Sequence, residues 1–161
     1  MSIGSEPPDW ERLYRRSYPS VYRALAATLL DPQLASDALQ DAFLAGLQKP
    51  PIHDANIAGW LFRVAMRSAT RVRSRSRTVS LHAADRLGGP SSEIDALMDR
   101  LSVGQLLRLL TVRQRSIVVA YFYLDQTQEQ IAELLGIRRG TVAATISQAL
   151  IRMRRGESHV Q

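Results

Sequence analysis

The stretch QEQIAELLGIRRGTVAATISQALI, residues 128–151, holds two apolar stripes of helical period separated by a glycine. Ile131, Ala132, Leu134 and Leu135 give a short helix, Gly136-Ile137 a tight turn, and Gly140 to Arg155 a longer helix. Thr127 and Gln130 stand at capping-box spacing, each able to satisfy an orphan donor of the other at the first helix's start. Ala132 is small enough to let the second helix approach closely, and Gly136 tolerates the positive φ of a sharp reversal. This is helix-turn-helix spacing, although an ordinary α-hairpin inside a bundle would share it. As a helix-turn-helix, the second helix lies in a major groove with Arg138, Arg139, Thr141 and Ala144 or Thr145 nearest the bases. Gln148, one turn further on, extends the same candidate surface.

Outward from this stretch the periodicity stays helical. Trp10, Leu13, Tyr14, Val21, Leu25 and Leu29 predict a long first helix, which Pro19 kinks or divides. Asp31-Pro32 supplies an N-cap and a first-turn proline for a second helix. Its apolar stripe is Leu34, Ala35, Ala38, Leu39, Ala42, Phe43 and Leu47, and Asp37, Gln40, Asp41 and Leu44 lie on the other side. Pro50-Pro51 ends it and opens a loop through Asn56. A third helix from about Ile57 to Arg73 buries Leu61, Val64, Ala65, Ser68 and Val72, while Trp60, Arg63, Arg67 and Arg71 share a different face. From Thr78 to Ser92 the composition turns linker-like. Ile94, Leu97, Met98 and Leu101 resume the helical pattern, and Leu106, Leu107 and Leu110 follow. Val112 to Leu124 reads as a further helix with Ile117, Val118 and Tyr121 inward. Nothing alternates with period two over a useful length. The predicted class is all-α, in two small domains joined by a flexible linker: 9–77, a linker over 78–95, and 96–156.

Charge divides the chain in the same way. The formal net charge of +6 is concentrated in residues 57–84, which hold six arginines and no acid. Residues 1–56 carry a balance of −2 and residues 126–161 a balance of +2. Two separated basic surfaces fit two contacts on one polyanion. With a single lysine, Lys49, the basic surface is built almost wholly of planar guanidinium forks, which suit phosphates and base edges. An arginine face is often no more than a solvated one. Here no acid interleaves it, and Trp60 stands in line, so phosphate contact with stacking on an unpaired base is the competing reading.

The absence of cysteine excludes disulfides, a thiol nucleophile and cysteine-ligated metals. His53, His82 and His159 are scattered, and neither a phosphate-cradling Gly-Lys-Ser/Thr loop nor a Gly-x-Ser-x-Gly elbow occurs. No catalytic role, cofactor or metal is expected. The first residues lack a signal-peptide pattern, and the apolar run from Ile117 to Leu124 is too short to span a bilayer, so a cytoplasmic protein without membrane insertion is expected.

The run Asp31-Pro32, Asp37-Ala38-Leu39-Gln40-Asp41-Ala42-Phe43-Leu44 and Gly59-Trp60-Leu61-Phe62-Arg63-Val64-Ala65 resembles region 2 of extracytoplasmic-function sigma factors of the sigma-70 family. Arg113-Gln114-Arg115, Tyr121-Phe122, Ile131 to Ile137 and Gly140-Thr141-Val142 resemble region 4. The two sets stand in the family's order and cover almost the whole chain.

The resemblance implies a promoter-specificity subunit. Asp37, Gln40, Asp41 and Leu44 would dock on core RNA polymerase. Lys49, Asn56, Trp60, Arg63, Arg67 and Arg71 would bind and open the −10 element, and the helix-turn-helix would read the −35 element in duplex DNA. It also implies an anti-sigma factor as a partner. Alternatives are a stand-alone helix-turn-helix regulator, or a sigma-like protein that sequesters an anti-sigma factor. The chain departs from the family pattern in places. Ala143, Ala144 and Thr145 replace the usual recognition-helix cations, and Arg138-Arg139 stand where an N-capping residue is usual. Ser68 replaces a common Asn, Thr111 a common Pro, and the loop Lys49 to His53 is atypical.

Overall fold

The computed structural model describes residues 9–51, 56–79 and 102–157. Among these it contains helices only: α1 (Trp10–Leu29), α2 (Pro32–Gln48), α3 (Ile57–Val79), α4 (Ser102–Arg108), α5 (Val112–Phe122), α6 (Gln128–Leu135) and α7 (Arg139–Glu157). The all-α expectation is met. The expected starting residues Ile94, Leu97, Met98 and Leu101, and most of the expected linker, lie outside the described residues.

Local chemistry sets most of the helix ends. The Asp9 carboxylate accepts from Arg12 N at 3.2 Å to open α1, and Asp31 accepts from Leu34 N at 3.0 Å to open α2, with Pro32 in its first turn. Pro19 does not divide α1, which runs unbroken through it. The ring sits on the exposed side, so the one lost ladder bond faces solvent rather than the core. Thr111 and Gln114 form a full capping box at α5, as Thr127 and Gln130 do at α6. Gly136 takes φ 64° and donates to Ala132 O and Glu133 O, making the predicted reversal into α7.

α1, α2 and α3 form a three-helix unit around Leu25, Leu39 and Leu61, all fully buried. Each contributes about 1.5–3 kcal/mol of apolar burial. Trp10 packs edge-on against Phe43, with ring centroids 6.3 Å apart, and its indole fills the space over Gly46, where a Cβ would come within 2.9 Å of Cζ3. Tyr14, Tyr18 and Tyr22 run one turn apart along α1, and the first two lie beside Phe43. In the C-terminal half, Ile117, Ile131, Val142 and Ala149 join α5, α6 and α7.

Four expectations are corrected. Leu47 is 59% exposed, because Gly46 and Phe43 already take the packing positions in that last turn of α2. Val72 is also exposed, since α3 continues past its last buried residue, Ala69, into a segment whose side chains are mostly solvated. That segment stays helical to Val79 rather than dissolving at Arg73. Finally, α5 ends at Phe122.

The two halves share one contiguous apolar core, with α1 against α5 and α3 against α6. Polar contacts pin the first junction. α1 has no basic residue in its last turn, and two arginines from elsewhere serve its carbonyl end. Arg73 donates to Leu29 O at 2.6 Å, and Arg115 Nε donates to Thr28 O at 2.8 Å while its Nη1 donates to Leu110 O at 2.7 Å. Arg115 is buried, and desolvation, with the charge of Arg73, pushes its guanidinium below the ordinary value. It remains a cation at any physiological pH.

Candidate nucleic-acid interface

The acidic face of α2 is a solvent-facing stripe. Asp37, Gln40, Asp41 and Leu44 are all exposed and recur at three- and four-residue intervals, so one partner surface can meet them together. Two of the side chains are held. Gln33 Nε2 donates to Asp37 Oδ1 at 3.0 Å, and Ser68 Oγ donates from α3 to Asp41 Oδ2 at 2.6 Å. Leu44, at 57% exposure, and the misplaced Leu47 add apolar area at the same end of the helix.

Beside it, α3 carries the arginines. Arg63, Arg67 and Arg71 stand one turn apart, and among the described residues no carboxylate lies within ion-pair distance of them. Arg67 and Arg71 are exposed, while Arg63 is half-buried and its Nε is buried without a hydrogen-bond partner. Desolvation, with the charge of Arg67, pushes the Arg63 guanidinium below its ordinary value. A cation held this way gains from an incoming phosphate more than a solvated one does. Trp60 is half-buried and packs on the core, leaving part of its ring at the surface. Lys49 is exposed as the C-cap of α2. Asn56 caps α3, its Oδ1 accepting from Gly59 N at 3.1 Å.

In the C-terminal half, Val142, Ile146 and Ala149 bury one side of α7, and Arg138, Arg139, Thr141, Ala144 and Gln148 are exposed. Thr145 is half-buried, its hydroxyl donating to Thr141 O at 2.7 Å. Arg139 pairs with Glu129 at 2.8 Å, both side chains largely exposed, so the pair contributes little stability and its cation stays available. Among the described residues no group of three His, Asp or Glu side chains is placed to hold a metal ion, and no helix is long and apolar enough to cross a membrane.

The structure thus gathers Asp37, Gln40, Asp41 and Leu44 on one face, aligns Arg63, Arg67 and Arg71 on another, and groups the α7 residues on a third. Sequence reasoning missed Gln126. This buried side chain of the α5–α6 turn accepts a hydrogen bond from Asn56 Nδ2 at 2.5 Å, 70 residues away. No periodicity marks a single glutamine in a turn, so the sequence carried no signal for it.

Comparison with known proteins matches residues 13–78 to the model of Sigma-70 region 2 and residues 93–153 to that of Sigma-70, region 4. The chain is 32% identical over 133 residues to the ECF RNA polymerase sigma factor SigL of Mycobacterium tuberculosis, covering 77% of this chain and 75% of SigL. It is 27% identical over 155 residues to SigM of the same organism, covering 91% of this chain and 76% of SigM. The RNA polymerase sigma-E factor of Streptomyces avermitilis is 29% identical over 151 residues, covering 91% and 83% of the two chains. Among solved structures, the sigma factor RpoE of Bartonella quintana, crystallised in complex with the anti-sigma factor NepR, shares the fold. Its TM-score is 0.71 at 18% identity, covering 91% of this chain and 95% of that one.

Proposed function

The chain belongs to the sigma-70 family, among its extracytoplasmic-function factors, and we propose that it acts as a promoter-specificity subunit of core RNA polymerase. The observation that carries this reading is the pairing, in one chain and in the family's order, of region 2 with region 4. The division proposed is 9–77 for core and −10 binding, 78–95 as linker, and 96–156 for the −35 element.

The acid-edged stripe Asp37, Gln40, Asp41 and Leu44 is the face for core polymerase, with Ser68 fixing one carboxylate there. Lys49, Asn56, Trp60, Arg63, Arg67 and Arg71 take the −10 element. Arginines hold its phosphates and the Trp60 ring meets an unstacked base. Binding the single strand shifts the melting equilibrium, so opening comes from differential affinity for the melted form. Arg138, Arg139, Thr141, Ala144, Thr145 and Gln148 face the −35 duplex. The bond-making chemistry is the polymerase's, which makes this chain a non-catalytic subunit working in the cytoplasm. An anti-sigma factor is its second protein partner, as NepR is for the Bartonella protein.

Pull-down with core polymerase tests the docking face. Asp41→Arg places a cation where an anion is presented, and it should weaken capture at least tenfold with helicity unchanged. Capture equal to wild type would remove α2 from the contact.

A further inference from the structure

Gln126 is held by its own turn in an arrangement that serves Asn56. Its backbone N donates to Ala120 O at 3.0 Å, and the preceding Asp125 takes φ 52°. Its Nε2 donates to Leu124 O at 3.0 Å, which points Oε1 the other way. That oxygen meets Asn56 Nδ2 and lies against the backbone of Gly59, where a Cβ would come within 2.7 Å of it. Glycine at 59 is what lets a side chain from the C-terminal half sit so close to α3.

The place it occupies matters. Asn56 caps α3, so Oε1 sits at the helix's N-terminal end, ahead of the arginine stripe. A helix N-terminus attracts oxygen acceptors, phosphate above all. Gln126 therefore satisfies with protein the groups that a nucleic-acid strand would satisfy. Arg115, anchored on Leu110 O in its own half, also joins the two halves through its bond to Thr28 O. Elements named −10 and −35 lie roughly 25 base pairs apart, ~85 Å of duplex at about 3.4 Å per step. A C-terminal half hydrogen-bonded against the start of α3 cannot reach the −35 element while α3 holds the −10 element.

We propose that Gln126 is an internal competitor for the −10 strand: it latches the C-terminal half over the start of α3, and promoter binding must displace it. The inference rests on the −10 role assigned above to Asn56 and its neighbours. Losing one neutral hydrogen bond of about 0.5–1.5 kcal/mol corresponds to roughly a two- to tenfold shift in the closed-to-open ratio.

The chain has no cysteine, so Arg16→Cys and Ser147→Cys give clean dye positions, one exposed on each half. In the full-length protein, Gln126→Met, which keeps the bulk without the acceptor, should lower energy transfer between the dyes. It should also raise the affinity of the free chain for a short single-stranded oligonucleotide of a mapped −10 sequence about two- to tenfold. Asn56→Asp keeps the cap on Gly59 N and sets a carboxylate against Oε1, so it should lower the transfer too. Unchanged transfer in both variants, with wild-type helicity by circular dichroism, would overturn the latch. Lowered transfer without tighter strand binding would overturn the competition. Failure of the functional reading would show elsewhere, as wild-type chain that gives core polymerase no promoter-specific transcripts whatever the dyes report.

Discussion

α3 and α7 are both candidate DNA helices, and they are built on opposite plans. α3 carries a row of arginines that lack carboxylate partners among the described residues, the first with a buried, unpartnered Nε. The first turns of α7 present alanine, threonine and glutamine, with cations only at the start, one of them paired to Glu129, and again near the far end at Arg152, Arg154 and Arg155. The first plan maximises attraction to backbone phosphate, and the second leaves a smooth surface that fits a groove with few charged contacts. Under the proposed function, strand capture and duplex reading fall to different chemistries within one chain.

The comparison breaks most readily at α3. Arg63→Ala combined with Arg67→Ala removes two charge-assisted contacts worth about 1.5–3 kcal/mol each. Promoter opening, read by single-strand-specific chemical footprinting, should fall about a hundredfold or more while core capture stays at wild type. Opening at the normal rate would mean the stripe is only a solvated face. Next in size is the scaffold beneath it. Leu61→Ala should lower unfolding stability by about 2–5 kcal/mol in denaturant titration, since Leu61 is fully buried at the centre of the three-helix unit. A loss under 1 kcal/mol would show that the α1–α3 core does not set the stripe's position.

At α7 the effects are smaller. Arg138→Ala should weaken −35 duplex binding about tenfold and reduce the salt slope by about one unit, almost uniformly across sequences. A change confined to one base position would instead make Arg138 a base reader and blur the contrast with α3. Smallest is Thr127→Ala, which removes one arm of the capping box at α6 and should cost about 1 kcal/mol in thermal unfolding.

Much of this was legible beforehand because it is local chemistry. Asp31 before Pro32, Thr127 three residues from Gln130, and Gly136 after Leu135 each act within one helical turn, and each took its expected role. The acidic stripe of α2 and the arginine row of α3 were likewise matters of spacing. The Leu47 and Val72 assignments failed for one shared reason. A stripe gives the direction a side chain points, but not how far the neighbouring helix extends to cover it. Arg115 and Gln126 were out of reach in a different way. Their partners, Thr28 and Asn56, are 87 and 70 residues distant, and only the packing of one half on the other brings them together.

The promoter-specificity role is tested most directly by transcription with purified core polymerase and genomic DNA, mapping the start of every transcript with and without the chain. That role predicts discrete new start sites that depend on the chain and vanish with Arg63→Ala and Arg67→Ala together. Identical transcripts in both reactions, from a chain that nonetheless binds DNA unaided, would contradict it.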